Sequence, residues 1–179
     1  MPELRPIETV YRGYRFRSRL EARWAVFFDA LGIPFEYEPE GYVLPDGTHY
    51  LPDFWLPGFE VFAEVKPVQF SWEEFKRCCQ LPHSSLLLDG MPAHRFYFVL
   101  DPQRETDGVY PGERWEEDFF ESYRSGDSAD ACLIGWSVYE KRLWRSYGAT
   151  AEDCIETDEA KAAVNAARGA RFEGGQRSP

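Results

Sequence analysis

Residues 49–66 read HYLPDFWLPGFEVFAEVK, two short apolar runs divided by the turn signal Pro57-Gly58. The first run, read as one strand, carries Pro52-Asp53, and the second carries Glu64-Val65-Lys66. Side chains alternate along a strand, so Val61, Ala63 and Val65 share one face of the second run and Phe62, Glu64 and Lys66 the other. Glu64 and Lys66 then leave the strand side by side, roughly 6–7 Å apart along it. Pairing the two runs as a hairpin brings Asp53 near Glu64. Two carboxylates and a lysine at one point suit a hard divalent cation beside a phosphate. A plainer reading makes Glu64 and Lys66 a solvent-exposed ion pair, which contributes little. Asp53 weighs against it, because an acid set among Leu51, Phe54 and Trp55 needs a partner if it is buried.

On the N-terminal side, Leu20, Trp24, Phe27, Phe28 and Leu31 fall within an arc of about 100° when wound as a helix, which predicts a helix over 18–31. Ser18 is its N-cap, and Gly32 with Pro34 ends it. Glu21, three positions after Ser18, has two readings. It is the return half of a capping box, or it points along the packing seam toward the carboxylates downstream. Ahead of the helix, VYRGYRFR (residues 10–17) interleaves aromatics with arginines. A surface for single-stranded nucleic acid has that pattern, and so does a solvated edge strand. FEYEPEGY (35–42) begins with alternation and predicts a strand ending near Pro39-Glu40-Gly41, and Asp46-Gly47, flanked by VLP and THYL, a two-residue turn into the next. A three-strand meander results, with Pro67 ending its last strand.

On the C-terminal side, Ser71-Trp72-Glu73-Glu74 is a second capping-box pattern and opens a helix to about Leu81. RFYFVL (95–100) reads as a strand buried on both faces, closing a right-handed βαβ unit with strand 59–66. Beyond it a helix over 113–123, an added strand over 132–139 and an alanine-rich helix over 157–172 are expected, then a frayed GGQRSP tail. One domain over 1–148 with a helical appendage over 149–179 is the organisation predicted.

With 179 residues, 44% of them hydrophobic and 17% aromatic, the chain suits one packed domain rather than disorder. No apolar run reaches the ~20 residues of a membrane span. MPELRPIE lacks the basic-then-apolar layout of a secretory signal, so a cytoplasmic protein is expected. No two of the four cysteines have CxxC spacing, and Cys78-Cys79 reads as two small buried side chains on a helix. The net charge of −11 argues against a general nucleic-acid binder, yet it is unevenly spread. Six arginines stand against Glu8 and Glu21 between Arg5 and Arg23. Such a basic patch on an acidic body is compatible with nucleic acid.

The predicted order is αβββαβ, an α/β fold with a mixed sheet. With Pro52-Asp53, a ten-residue gap and Glu64-Val65-Lys66 on elements in that order, residues 10–101 resemble the PD-(D/E)xK nuclease superfamily. Restriction enzymes and resolvases belong to it, and the run YRGYRFRSRLEARWAVFFDALGI, followed by YLPDFWLP and EVK, also looks like a group of small phage- or prophage-encoded nucleases. The resemblance implies a restriction-endonuclease-like fold and Mg²⁺- or Mn²⁺-dependent hydrolysis of DNA phosphodiesters, with no organic cofactor. Asp53, Glu64 and the Val65 carbonyl would hold the metal, and Glu21 would join directly or through water. Lys66 would orient the attacking water or neutralise phosphoryl charge, and Arg12, Arg15, Arg17 and Arg19 would grip phosphates. DNA structure, RNA as substrate and a homodimer all stay open. The alternative is a non-catalytic protein on the same fold that binds a host or other protein partner.

Overall fold

The computed structural model describes residues 6–93, 97–100, 115–125, 132–137, 142–147 and 158–172. Val61–Lys66 forms a six-residue strand with every side chain but Lys66 buried. It lies inside a mixed α/β fold whose elements are β1 (Thr9–Tyr11), β2 (Tyr14–Phe16), α1 (Arg19–Ala30), β3 (Glu36–Tyr37), β4 (Tyr42–Val43), β5 (His49–Tyr50), β6 (Phe54–Leu56), β7 (Val61–Lys66), α2 (Trp72–Cys79), β8 (Ser84–Asp89), β9 (Tyr97–Leu100), α3 (Trp115–Ser125), β10 (Cys132–Ser137), β11 (Arg142–Tyr147) and α4 (Asp158–Gly169). Among the described residues, seven strands make the main sheet, in the order β11-β10-β9-β8-β7-β6-β3. β7 runs parallel to β8 and antiparallel to β6. No helix among the described residues is long and apolar enough to cross a membrane.

Alternation along the central strands sorts the core into two layers. Val61, Ala63 and Val65 of β7 and Leu86 and Leu88 of β8 pack with Trp24, Ala25 and Phe28 of α1 and Ala163 and Ala167 of α4. Leu87, on the opposite face of β8, packs with Phe75 and Cys78 of α2 and with Phe120 and Tyr123 of α3. Cys78 and Cys79 are both buried and outside any disulfide, as their place on an apolar helix face requires. Arg23 of α1 donates to the carbonyls of Ala167 and Arg168 and so ties α4 to α1 at its C-terminal end.

Trp24 anchors the first layer. Its ring is 1% exposed, stands edge-on to Phe27 and Tyr97, and donates Nε1–H to the Gly90 carbonyl at 3.0 Å. Trp24→Ala removes all of these at once and is expected to destabilise the protein by about 3–5 kcal/mol, read as a drop in the urea midpoint.

Local signals place the helices well. Ser18 caps α1 by accepting from the Glu21 N–H, and Gly32 takes a left-handed conformation just past its end. At α2 the complete capping box forms between Ser71 and Glu74. VYRGYRFR is a hairpin, β1 against β2, turned by Arg12 and Gly13, both with positive φ as a two-residue turn of that twist demands.

The strands depart from expectation in three places. First, residues 49–56 are not one strand. β5 pairs with β4 in a separate two-stranded sheet, and β6 alone enters the main sheet beside β7. Leu51-Pro52-Asp53 links the two, and Pro52 supplies no N–H to continue a ladder. Second, the strand expected from Phe35 to near Pro39-Glu40-Gly41 stops at Tyr37, because Glu38 turns to φ 46°. The meander is therefore β3, β6 and β7, with the β4–β5 hairpin inserted after β3. Third, the βαβ unit is closed by β8 and not by the strand over 95–100. β9 follows antiparallel to β8. Ser84 to Asp89 reads SSLLLD, with no β-branched or aromatic residue to announce a strand. Residues 94–96 and the GGQRSP tail lie outside the described residues.

Candidate metal centre

Where β6 begins, the ladder between β6 and β7 gives way to side chains. The register pairs Phe54 with Ala63, and one step further Asp53 and Glu64 come together. Neither stands exposed: Asp53 is 4% and Glu64 1% accessible, which removes the reading of Glu64 as a surface ion-pair partner. The Asp53 N–H donates to Glu64 Oε1 at 3.1 Å, and the Val65 N–H donates to Asp53 Oδ2 at 2.8 Å. Each carboxylate thus grips the other strand's backbone, in place of ordinary ladder bonds. The Asp53 carbonyl accepts from the Glu38 N–H at 2.9 Å, which fixes the residue from its β3 side as well. In a strand the N–H and C=O of a residue face the same edge, so the Val65 carbonyl is directed to the side on which Asp53 lies.

Burial raises both acids. Glu64 is pushed up to about 8 by loss of water and by the neighbouring Asp53 charge. Asp53 is raised to about 6, chiefly by burial and against the pull of the Val65 N–H, with the Glu21 charge adding to the rise. Lys66 and Arg17 act in the opposite sense on Asp53, and Lys66 does so on Glu64.

Glu21 is likewise buried, at 7% exposure. It serves neither of its two expected roles alone. Ser18 caps its N–H, but the carboxylate returns to the Arg17 N–H at 3.1 Å rather than to that of Ser18, and it also accepts from the Ser18 and Tyr37 hydroxyls. The cap and the site therefore share one side chain. Tyr37, pushed above its ordinary pKa by burial and then by Glu21, stays a hydrogen-bond donor.

Arg17 completes the group. Its Nη2 donates to Asp53 Oδ1 at 2.8 Å, and its Nε stands 2.6 Å from Glu38 Oε1. Lys66 is partly exposed at the end of β7, 3.9 Å from Glu74 Oε1. The other arginines of the N-terminal patch are placed differently. Arg12 pairs with Asp29 at 2.9 Å, Arg15 lies 3.8 Å from Glu8, and Arg19 is exposed on the first turn of α1.

Sequence reasoning thus named Glu21, Asp53, Glu64 and Lys66 and missed three neighbours. Tyr37 and Glu38 come from the end of β3, and Tyr50 comes from the inserted hairpin. The Tyr50 hydroxyl interacts with Glu64 and lowers its pKa, and it stands 3.8 Å from Cys78 Sγ. Nothing local marks these residues, since each reaches the site only through pairing with a distant strand.

Among the described residues, no group of three or more His, Cys, Asp or Glu side chains forms a ready metal cage. The donors at this point are two carboxylates and one directed backbone carbonyl. That set suits Mg²⁺ or Mn²⁺ better than Ca²⁺ or Zn²⁺, because Mg²⁺ is ordinarily held by one or two carboxylates and completes its octahedron with water and substrate phosphate. Two buried acids held against each other's charge are also what a divalent cation would relieve. No family model and no curated protein matches the chain, so its functional reading rests on this geometry.

Proposed function

We propose that the chain is a Mg²⁺- or Mn²⁺-dependent nuclease of the PD-(D/E)xK type that hydrolyses DNA phosphodiesters as an endonuclease in the cytoplasm. The observation that carries this reading is the interlocked pair Asp53–Glu64, buried at the mouth of β6 and β7, with Lys66 two residues on along the same strand. The αβββαβ order that frames the pair supports it.

In this reading Asp53, Glu64 and the Val65 carbonyl hold the ion. A bound ion supplies charge neutralisation and a water of lowered pKa. Lys66, freed from its long contact with Glu74, stabilises negative charge building on the phosphoryl oxygens. Glu21 holds the segment carrying Arg17 in place, through the Arg17 N–H. Arg17 contributes positive charge at the site itself, and Arg12, Arg15 and Arg19 are further candidates for phosphate contacts, which position DNA without reading its sequence.

Incubating the purified protein with supercoiled, linear, branched and single-stranded DNA and with RNA, plus Mn²⁺, tests the proposal. Metal-dependent scission of DNA is expected, and no scission of any substrate would sink it. Lys66→Ala is expected to retain Mn²⁺ binding and lose at least roughly 10²-fold in cleavage rate, the usual cost of removing one group that stabilises transition-state charge. Equal loss of metal binding would show that Lys66 acts on the fold instead.

A second reading, a non-catalytic protein that binds another protein through this fold, draws on the net charge of −11 and on the pairing of Arg12 and Arg15 with acids. Titration calorimetry separates the two: Mn²⁺ uptake that Asp53→Asn abolishes favours the nuclease.

A further inference from the structure

Asp53 is the acid through which the whole site is connected, and one of its two oxygens faces a guanidinium. Oδ2 accepts from the Val65 N–H and Oδ1 from Arg17 Nη2. Arg17 reaches this buried acid from the surface. Its side chain is 55% exposed, whereas that of Asp53 is 6% exposed. Its second contact, to Glu38, is close, but Glu38 Oε1 receives no properly directed hydrogen bond. The backbone beneath it is firm by comparison. The Arg17 N–H is fixed by both Glu21 and the Tyr37 hydroxyl, and Glu38 is held to the Asp53 carbonyl through its own N–H. A firmly bonded backbone thus carries a side chain that spans a buried carboxylate, an outer carboxylate and solvent.

We propose that Arg17 is the counter-ion of the metal-free site and a phosphate ligand of the loaded one. This rests on the reading of Asp53 and Glu64 as metal ligands. A guanidinium on Oδ1 and a divalent cation held by the same carboxylate compete for its charge and its lone pairs. Arg17 therefore leaves Asp53 as the ion is taken up, and Glu38 keeps the released guanidinium at the mouth of the site. From there its planar fork meets a phosphate oxygen in the bidentate manner that suits arginine. Metal occupancy and grip on the DNA backbone become linked through one side chain. The linkage is reciprocal: DNA that draws Arg17 away from Asp53 tightens the metal.

The opposite signs of the two effects make the test decisive. Mn²⁺ affinity is measured by calorimetry, and DNA affinity by fluorescence anisotropy in Ca²⁺ to hold back cleavage. Arg17→Gln is expected to bind Mn²⁺ roughly three- to tenfold more tightly than the wild type, the range left for a charged hydrogen bond after screening at a half-exposed group. The same protein is expected to bind DNA several-fold more weakly in Ca²⁺. Arg17→Lys separates the fork from the charge. It keeps the charge but cannot span Asp53 and Glu38 as the guanidinium does, so its Mn²⁺ affinity should move toward that of Arg17→Gln. Glu38→Gln in the Arg17→Gln background should change Mn²⁺ affinity less than in the wild type, because the two residues act through one contact.

If the wild type binds Mn²⁺ while Arg17→Gln binds it equally or less tightly, the counter-ion role is overturned and the metal site stands. If Arg17→Lys matches the wild type, only the charge matters and the exchange is overturned. If neither the wild type nor Arg17→Gln takes up Mn²⁺, the metal site itself fails, and the exchange with it.

Discussion

Glu64→Gln is expected to abolish metal-supported DNA cleavage while making the cation-free protein more stable at pH 8. The two effects share one cause. Glu64 is 1% exposed and faces Asp53, so at pH 8 it carries much of a negative charge that the fold does not fully compensate. Glutamine keeps the shape and an acceptor for the Asp53 N–H, but it removes the charge and with it a principal ligand. Loss of several kcal/mol of charge stabilisation corresponds to on the order of 10³-fold or more in rate. Removing the buried charge returns a few degrees of melting temperature, as relief of an unfavourable ionisation does. Asp53→Asn should lose cleavage to a similar extent, but with less gain in stability, because Asp53 already has Arg17 as a partner. The checks are a rate measurement in Mn²⁺ and a melt at pH 8 in chelator. A Glu64→Gln protein that cleaves as the wild type does would remove the metal centre from the account.

The second large effect is on pH. Both acids have folded-state pKa values above their ordinary ones, about 6 against 3.8 for Asp53 and about 8 against 4.5 for Glu64. Between the ordinary and the raised values, the folded protein therefore holds protons that the unfolded chain has released. Stability from this source is complete below about pH 4 and is lost as pH rises through 6 to 8. The cation-free protein should lose a few kcal/mol across that window, seen as a falling urea midpoint. Metal affinity runs the other way, since an ion must displace the proton from Glu64. Near pH 7 uptake should release about one proton per ion, measurable by calorimetry in buffers of different ionisation enthalpy. At pH 9 the release should vanish. A pH-independent affinity between 6 and 8 would contradict the placement of Glu64 at the metal.

Much of this molecule is readable without coordinates. The helix over 18–31 and the box at Ser71–Glu74 are announced by residues within one turn of each end, where capping is a local interaction. Alternation through VFAEVK places Val61, Ala63 and Val65 against α1 and sets Phe62 on the other face with Leu44 and Leu81. The nomination of Asp53, Glu64 and Lys66 required only strand period and the oddity of an acid among aromatics. β8 was invisible because its strand state comes from being sandwiched between β7 and β9, and SSLLLD carries no intrinsic preference for it. The broken strand over 49–56 was misread because an alternating pattern does not say which partner each half will find.

By itself the sequence determined the helix ends, the buried faces and the identity of the chemically unusual residues, all consequences of periodicity and neighbours a few positions away. Only the tertiary structure decided that the Glu64 carboxylate would accept from the Asp53 N–H and the Asp53 carboxylate from the Val65 N–H, that Glu21 would bend its cap toward Arg17, and that Arg17 rather than Arg12 or Arg15 would meet Asp53. The Asp53 contacts follow from the register of β6 on β7 and join residues 11 to 36 positions apart, and Glu21 is turned by the Tyr37 hydroxyl of β3, 16 positions away. Their energies depend on burial, and burial is a property of the assembled sheet and not of any segment in it.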